Sequence, residues 1–216
     1  MNIDETIAYA KSKGFNVPAW HGTYQDFDEF KEHDIGFHFS KSEFVAQNRL
    51  DDRFDEGEFD KPRILLHVAL SIHNPLVVDA DLGSWDAKDI LSAASYKYTH
   101  QPFMPASTMY LYEQKAWAHA AHKILKAINI KQEEALEMKS TLDSDPNKNR
   151  TLTESIRDKF IQGKYDAIIY PNDFESQDGF DPTCYIVFLP NQIKSLDSTN
   201  IPLSSRFDIN SPKFIH

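Results

Sequence analysis

The chain has 216 residues, of which 41% are hydrophobic and 26% charged, and a net charge of −10. That length buries a real core, and the composition is that of an ordinary globular protein. The acidity argues against a duplex-binding module, which carries a basic stripe, so a protein is expected as macromolecular partner before a nucleic acid. A local pocket for a small anion stays open, because Lys41, Arg49, Arg53 and Arg63 are available, although Asp51, Asp52, Asp55 and Glu56 lie among them. The one cysteine, Cys184, excludes an intrachain disulfide and fits a reducing compartment. The opening "MNIDETIAYAKSKGF" has acids where a signal peptide needs a basic start. No apolar run approaches the roughly 20 residues of a membrane span. A soluble protein working in a cytoplasm, with no membrane partner, is expected.

In chain order, Ile3, Ile7 and Ala10 recur at helical spacing, and Gly14 is placed to end that helix. "FNVPAW" reads as a strand that stops on His21-Gly22-Thr23. Gly36 to Phe39 reads as a short strand, followed by a helix that Ser40 or Ser42 would cap. Residues 51–62 read as an acidic loop. "RILLHVALSI" is the strongest strand of the first half, and "LVV" a second short one. From about Trp85 to Gln162 the pattern turns helical. Met109, Ala116, Ala120, Ile124 and Ala127 share a face there. Thr151 or Thr153 would cap the last helix of this stretch, before "YDAIIY" and "CYIVFL" return to strands. Strands, a helical insert over 85–162, then strands again predict an α+β fold in one domain over 1–216.

Three stretches carry the chemistry. A strand ending on His21-Gly22 offers an imidazole and a backbone with no side chain in front of it, which suits a small ligand. It equally suits a strand that ends at the surface. "WHGT" (20–23), "GFHFSKSEFVA" (36–46) and "CYIVFLPNQIKSL" (184–196) together resemble the nicotinamide-binding core of ADP-ribosyltransferases, in the His-Tyr-Glu branch. "KYDAIIYPNDFE" and "NPLVVDADLGSW" are similar to the members found in the polyvalent proteins of phages and mobile elements. The resemblance implies an ADP-ribosyltransferase-like split β-sandwich with a helical insert. It implies NAD as substrate and transfer of ADP-ribose to a macromolecule, expected to be a protein, in the manner of a phage or bacterial effector or toxin.

The resemblance also assigns roles. His21 would bind a ribose, Gly22 the nicotinamide carboxamide through its backbone, and Thr23 would steady either. His38 stands where the family has the tyrosine that stacks on nicotinamide, with Phe39 beside it; a histidine there binds best when neutral. Arg49, one of the basic residues available for a small anion rather than part of a matched motif, would contribute charge to the NAD site. Cys184 stands where the family has its glutamate, and a thiol supplies no negative charge unless ionised. An acid of the preceding loop would replace it, Glu175 by preference, with Asp173, Asp178 and Asp181 as neighbours and Glu113 as an outsider. NAD glycohydrolysis and a non-catalytic interaction module with the same fold remain open. So does a cysteine hydrolase built on Cys184 with His21 or His38. His119 and His122, three apart on a helix with no acid beside them, make a poor metal pair, and no metal is expected.

Overall fold

The computed structural model describes residues 3–24, 35–55, 64–99, 111–172, 176 and 179–196. The fold is α+β. The chain divides into two compact units, one holding residues 3–24, 37–73 and 172–196, the other 35–36 and 74–171, as far as these are described.

The first unit is built on strands β1 (Val17–Thr23), β2 (Phe37–Ser40), β3 (Ile64–Leu70), β6 (Thr183–Val187) and β7 (Ile193–Ser195). They lie in the order β6-β2-β1-β3-β7, and every neighbouring pair is antiparallel. β3 is apolar at six of its seven positions, and those six are buried, with only His67 half-buried. Helix α1 (Ile3–Ser12) ends through Gly14, whose φ of +90° lets Phe15 N–H return to the Ala10 carbonyl at 3.1 Å. Ala10 then packs with Ala69 of β3 and Leu196, while Ile7 and Phe15 close over them. Helix α2 (Glu43–Asp55) runs into the stretch that read as loop, so Asp51, Asp52 and Asp55 are helical. Ser42 accepts the Ala46 N–H at 3.3 Å through its carbonyl, whereas Ser40 is the last residue of β2 and buried.

The second unit pairs β4 (Pro75–Val77) with β5 (Ala167–Pro171) in parallel. Parallel strands need a long crossover, and helices α3 (Ala87–Thr99), α4 (Leu111–Ala127), α5 (Gln132–Ser144) and α6 (Asn149–Gln162) supply it. These helices fall inside 85–162, and the unit extends beyond that stretch to take in both strands. α3 packs against α4, α5 and α6. Accordingly Ile90, Leu91, Ala93 and Ala94 are all buried, an apolar surface too wide for a one-sided helix.

The first three amides of α3 are all satisfied by side chains. Asp86 accepts the Asp89 N–H at 2.8 Å, Asn149 the Lys88 N–H at 2.9 Å and Thr153 the Ala87 N–H at 2.7 Å. Thr153, expected to cap its own helix, sits inside α6 and caps α3 instead. Its hydroxyl donates to the Asn149 carbonyl at 2.8 Å. Asp81 accepts from Gly83 N–H and from the Trp85 indole at 3.0 and 2.7 Å, which holds Trp85, fully buried, at a φ of +60°.

Candidate active site

The sheet register brings three distant stretches side by side. β1 carries His21, Gly22 and Thr23; β2 carries His38 and Phe39; β6 carries Cys184 and Tyr185. β2 pairs with β6 as His38↔Ile186, Phe39↔Tyr185 and Ser40↔Cys184. On its other side β2 meets β1 at Trp20↔Ser40, whereas β1 pairs with β3 along all seven of its residues. His21 and His38 stand beside that β1–β2 pair. The His21 ring links the two strands, with Nδ1 2.7 Å from the His38 carbonyl oxygen.

That contact fixes a tautomer. A carbonyl oxygen only accepts, so Nδ1 carries the proton and donates; in the neutral ring Nε2 is then an acceptor. Such a nitrogen suits a hydroxyl donor, the chemistry a ribose offers. The ring also leans on Phe39, with centroids 5.3 Å apart. Thr23 is buried and Arg49, on α2, half-buried.

Alternation along the strands sorts the candidates by face. His21, Thr23, Phe39 and Tyr185 share one face; Trp20, Gly22, His38, Ser40 and Cys184 share the other. His21 and His38 thus meet through a ring and a backbone carbonyl, while their side chains leave the sheet on opposite sides. Trp20 stacks on His67 of β3, rings 4.2 Å apart and nearly parallel.

Gly22 has a packing reason of its own. A Cβ there would stand 2.4 Å from the Ala46 carbonyl oxygen and 2.8 Å from Leu50 Cγ, so α2 lies directly on the backbone of β1 at this point. One turn of α2 separates the two contacts, and only glycine permits the approach.

Cys184 is buried, 1% exposed, and its sulfur lies 3.4 Å from the Ser40 hydroxyl. The thiol is thus a partnered interior group. Tyr185, next to it, is pushed up to about 12, first by burial and then by the charges of Asp181 and Cys184, so its phenol stays neutral. Glu175, Asp173 and Asp178 lie outside the described residues. The Asn172 N–H donates to the Pro182 carbonyl at 2.8 Å. Asp181 is held down to about 2, first by its contact with Lys41 and then by Thr183. Lys41 Nζ lies 2.6 Å away, and the Thr183 N–H donates to Asp181 at 2.9 Å. Lys41 is therefore committed to an ion pair. Phe44 of α2 stacks on Phe180, rings 4.0 Å apart.

The remaining candidates sit in the second unit. Glu113 is on α4, His119 meets Asp79 at 3.0 Å, and His122 Nδ1 meets the Ala118 carbonyl at 2.6 Å. Among the described residues no three His, Cys, Asp or Glu groups converge as metal ligands. No helix of the described residues is long and apolar enough to cross a membrane. Sequence reasoning passed over Ser40 as the thiol's partner and the Lys41–Asp181 link. Neither has a local signature, since both depend on the register of β2 against β6.

The model of one protein family, described as ADP-ribosyltransferase in polyvalent proteins, matches residues 11–202. No curated protein and no solved structure matches the chain.

Proposed function

The chain belongs to the ADP-ribosyltransferases of polyvalent proteins, and from that premise we propose that it transfers ADP-ribose from NAD to a protein, working in a cytoplasm. The observation that carries the reading is the His21 ring between β1 and β2, with its Nδ1 proton on the His38 carbonyl. Its Nε2 accepts a ribose hydroxyl of NAD. The Gly22 backbone takes the carboxamide, and Thr23 and Arg49 support that end of the cleft. Phe39, on the same face as His21, flanks the nicotinamide from β2, while the His38 ring, on the opposite face, leaves only its backbone carbonyl to the site, where it holds His21. The protein acceptor follows from the net charge of −10, which disfavours a polyanion.

In the reaction the bond between ribose C1′ and the nicotinamide nitrogen breaks, and nicotinamide leaves as a neutral ring with the bonding electrons. C1′ gains positive character, a nucleophile of the acceptor bonds to it, and that nucleophile's proton is lost to a base. A carboxylate beside C1′ stabilises this charge by several kcal/mol in a water-poor site. Cys184, buried and partnered by Ser40, does not supply it. Glu175 does in this reading. The test is nicotinamide release. Glu175→Gln lowers turnover about 10²-fold or more with folding intact, and Cys184→Ser is nearly silent. A silent Glu175→Gln removes the assignment.

A second reading is favoured by the same buried thiol, which leaves the strand position of the family's acid uncharged. The domain is then an interaction module that keeps the fold without catalysis. An inert wild type that gains nicotinamide release as Cys184→Glu decides for it. Release that is equal with and without a protein acceptor marks NAD glycohydrolysis instead.

A further inference from the structure

Tyr24 follows the His-Gly-Thr stretch directly and is 5% exposed. Its hydroxyl donates to the carbonyl oxygen of Leu50, in the body of α2. A buried phenol needs such a partner, but the choice of this one is unusual. In an α-helix a carbonyl already accepts the amide four residues on, and the Tyr24 hydroxyl takes the second lone pair. Two residues back, Gly22 lies under Ala46 and Leu50 of the same helix. Gly22 and Tyr24 thus form a two-point seat. The glycine lets α2 descend onto the strand, and the phenol pins it there from the side of Leu50. Arg49 stands on the turn of α2 between these contacts.

We infer that Tyr24 is a positioning residue for NAD, which rests on the reading of this cleft as the NAD site. It touches no substrate. It holds α2 at one height over β1, and so sets how Arg49 of the helix and the Gly22 backbone of the strand present themselves to one ligand. A buried phenylalanine would fill the same space; the hydroxyl adds only the fixed distance. Because Leu50 keeps its helical bond when the hydroxyl is removed, stability should change little while ligand geometry changes.

The test is calorimetric titration of the full chain with NAD, for wild type, Tyr24→Phe and Leu142→Ala. Leu142 is a core residue of α5 in the other unit, so its truncation is a control for lost stability alone. The expected result is a Kd about tenfold higher in Tyr24→Phe at a Tm within a few degrees of wild type. Leu142→Ala melts well below both and binds as wild type. In nicotinamide release the KM of Tyr24→Phe rises with its Kd and kcat holds, the sign of lost uniform binding. Tyr24→Met, which fills the site flexibly and also lacks the hydroxyl, gives the same rise and serves if Tyr24→Phe does not fold. Unchanged affinity in a folded Tyr24 variant overturns the inference and leaves the NAD reading standing. Affinity lost in proportion to Tm in all variants makes Tyr24 merely structural, which also overturns it. A wild type that does not bind NAD removes the reading beneath it, and the positioning role with it.

Discussion

Replacing Gly22 by alanine tests the seating of α2 on β1 with one methyl group. The new Cβ would lie 2.4 Å from the Ala46 carbonyl oxygen, 2.8 Å from Leu50 Cγ and 3.2 Å from its Cδ1. Neither neighbour can yield cheaply. The oxygen belongs to helix backbone, and Leu50 is 1% exposed with no room to swing. Ordinary contact is restored only if α2 lifts by about 1 Å, which loosens the packing of Val45, Ala46 and Leu50 beneath it. Overpacking of this kind costs about 1–3 kcal/mol, a fall in Tm of roughly 2–12 °C for a chain of this size. Differential scanning calorimetry reads it directly. Gly163→Ala is the comparison, because its nearest contact is 3.2 Å, to the Lys159 carbonyl, and its melting should stay within a few degrees of wild type. Gly22→Val should be worse than Gly22→Ala. Weakened NAD binding in Gly22→Val would therefore report lost packing as well as a covered backbone. A Gly22→Ala chain that melts with wild type refutes the packing argument, and the glycine would then owe its place to the ligand alone.

The Asp181 carboxyl, held at about 2 by Lys41 and Thr183, is a depressed acid. Its stabilisation is present above about pH 4 and is lost as pH falls through about 2. Both partners are roughly half exposed, so screening limits it to about 1 kcal/mol or less. Denaturant midpoints of wild type and Asp181→Asn should differ above pH 4 and converge near pH 2, and a constant difference would contradict the ion pair. Tyr185 is shifted the other way, up to about 12. Its neutral form favours the fold fully below about pH 10, and this is lost as pH rises through about 12. Tyr185→Phe should flatten that alkaline decline, and equal slopes for both chains would count against it. Thr153→Val should cost about 1–3 kcal/mol in thermal unfolding, because the Ala87 amide is left without its buried acceptor. An unchanged Tm would mean that another group takes over the cap.

Much of the fold was legible because local pattern and burial agree. The strands at Ile64–Leu70 and Thr183–Val187 are apolar runs, and Gly14 ends α1 through a positive φ. What stayed hidden depends on partners far along the chain. Thr153 looked like a cap of α6 because hydroxyl caps are local by habit, yet its acceptor faces Ala87 of another helix. Ser40 looked like a cap of α2, and the sheet register gives it Cys184 instead. The acidic stretch after Leu50 read as loop from its charge, whereas α2 carries on to Asp55. At the candidate site the motifs named His21, Gly22 and His38. The tautomer of His21, the opposite faces of His21 and His38, and the helix over Gly22 follow only from register. Gly22 was read as space for a ligand, and the same glycine is required by α2.

The central claim is that His21, oriented by the His38 carbonyl, accepts a hydroxyl of NAD. Calorimetric titration of NAD into wild type and His21→Ala tests it most directly. Wild type should bind saturably, and the Kd of His21→Ala should rise about tenfold or more, the loss expected for one buried hydrogen bond and its orientation, in a chain that still folds with only the modest fall in Tm due to the lost contacts with the His38 carbonyl and Phe39. Equal affinity in the two chains would contradict it.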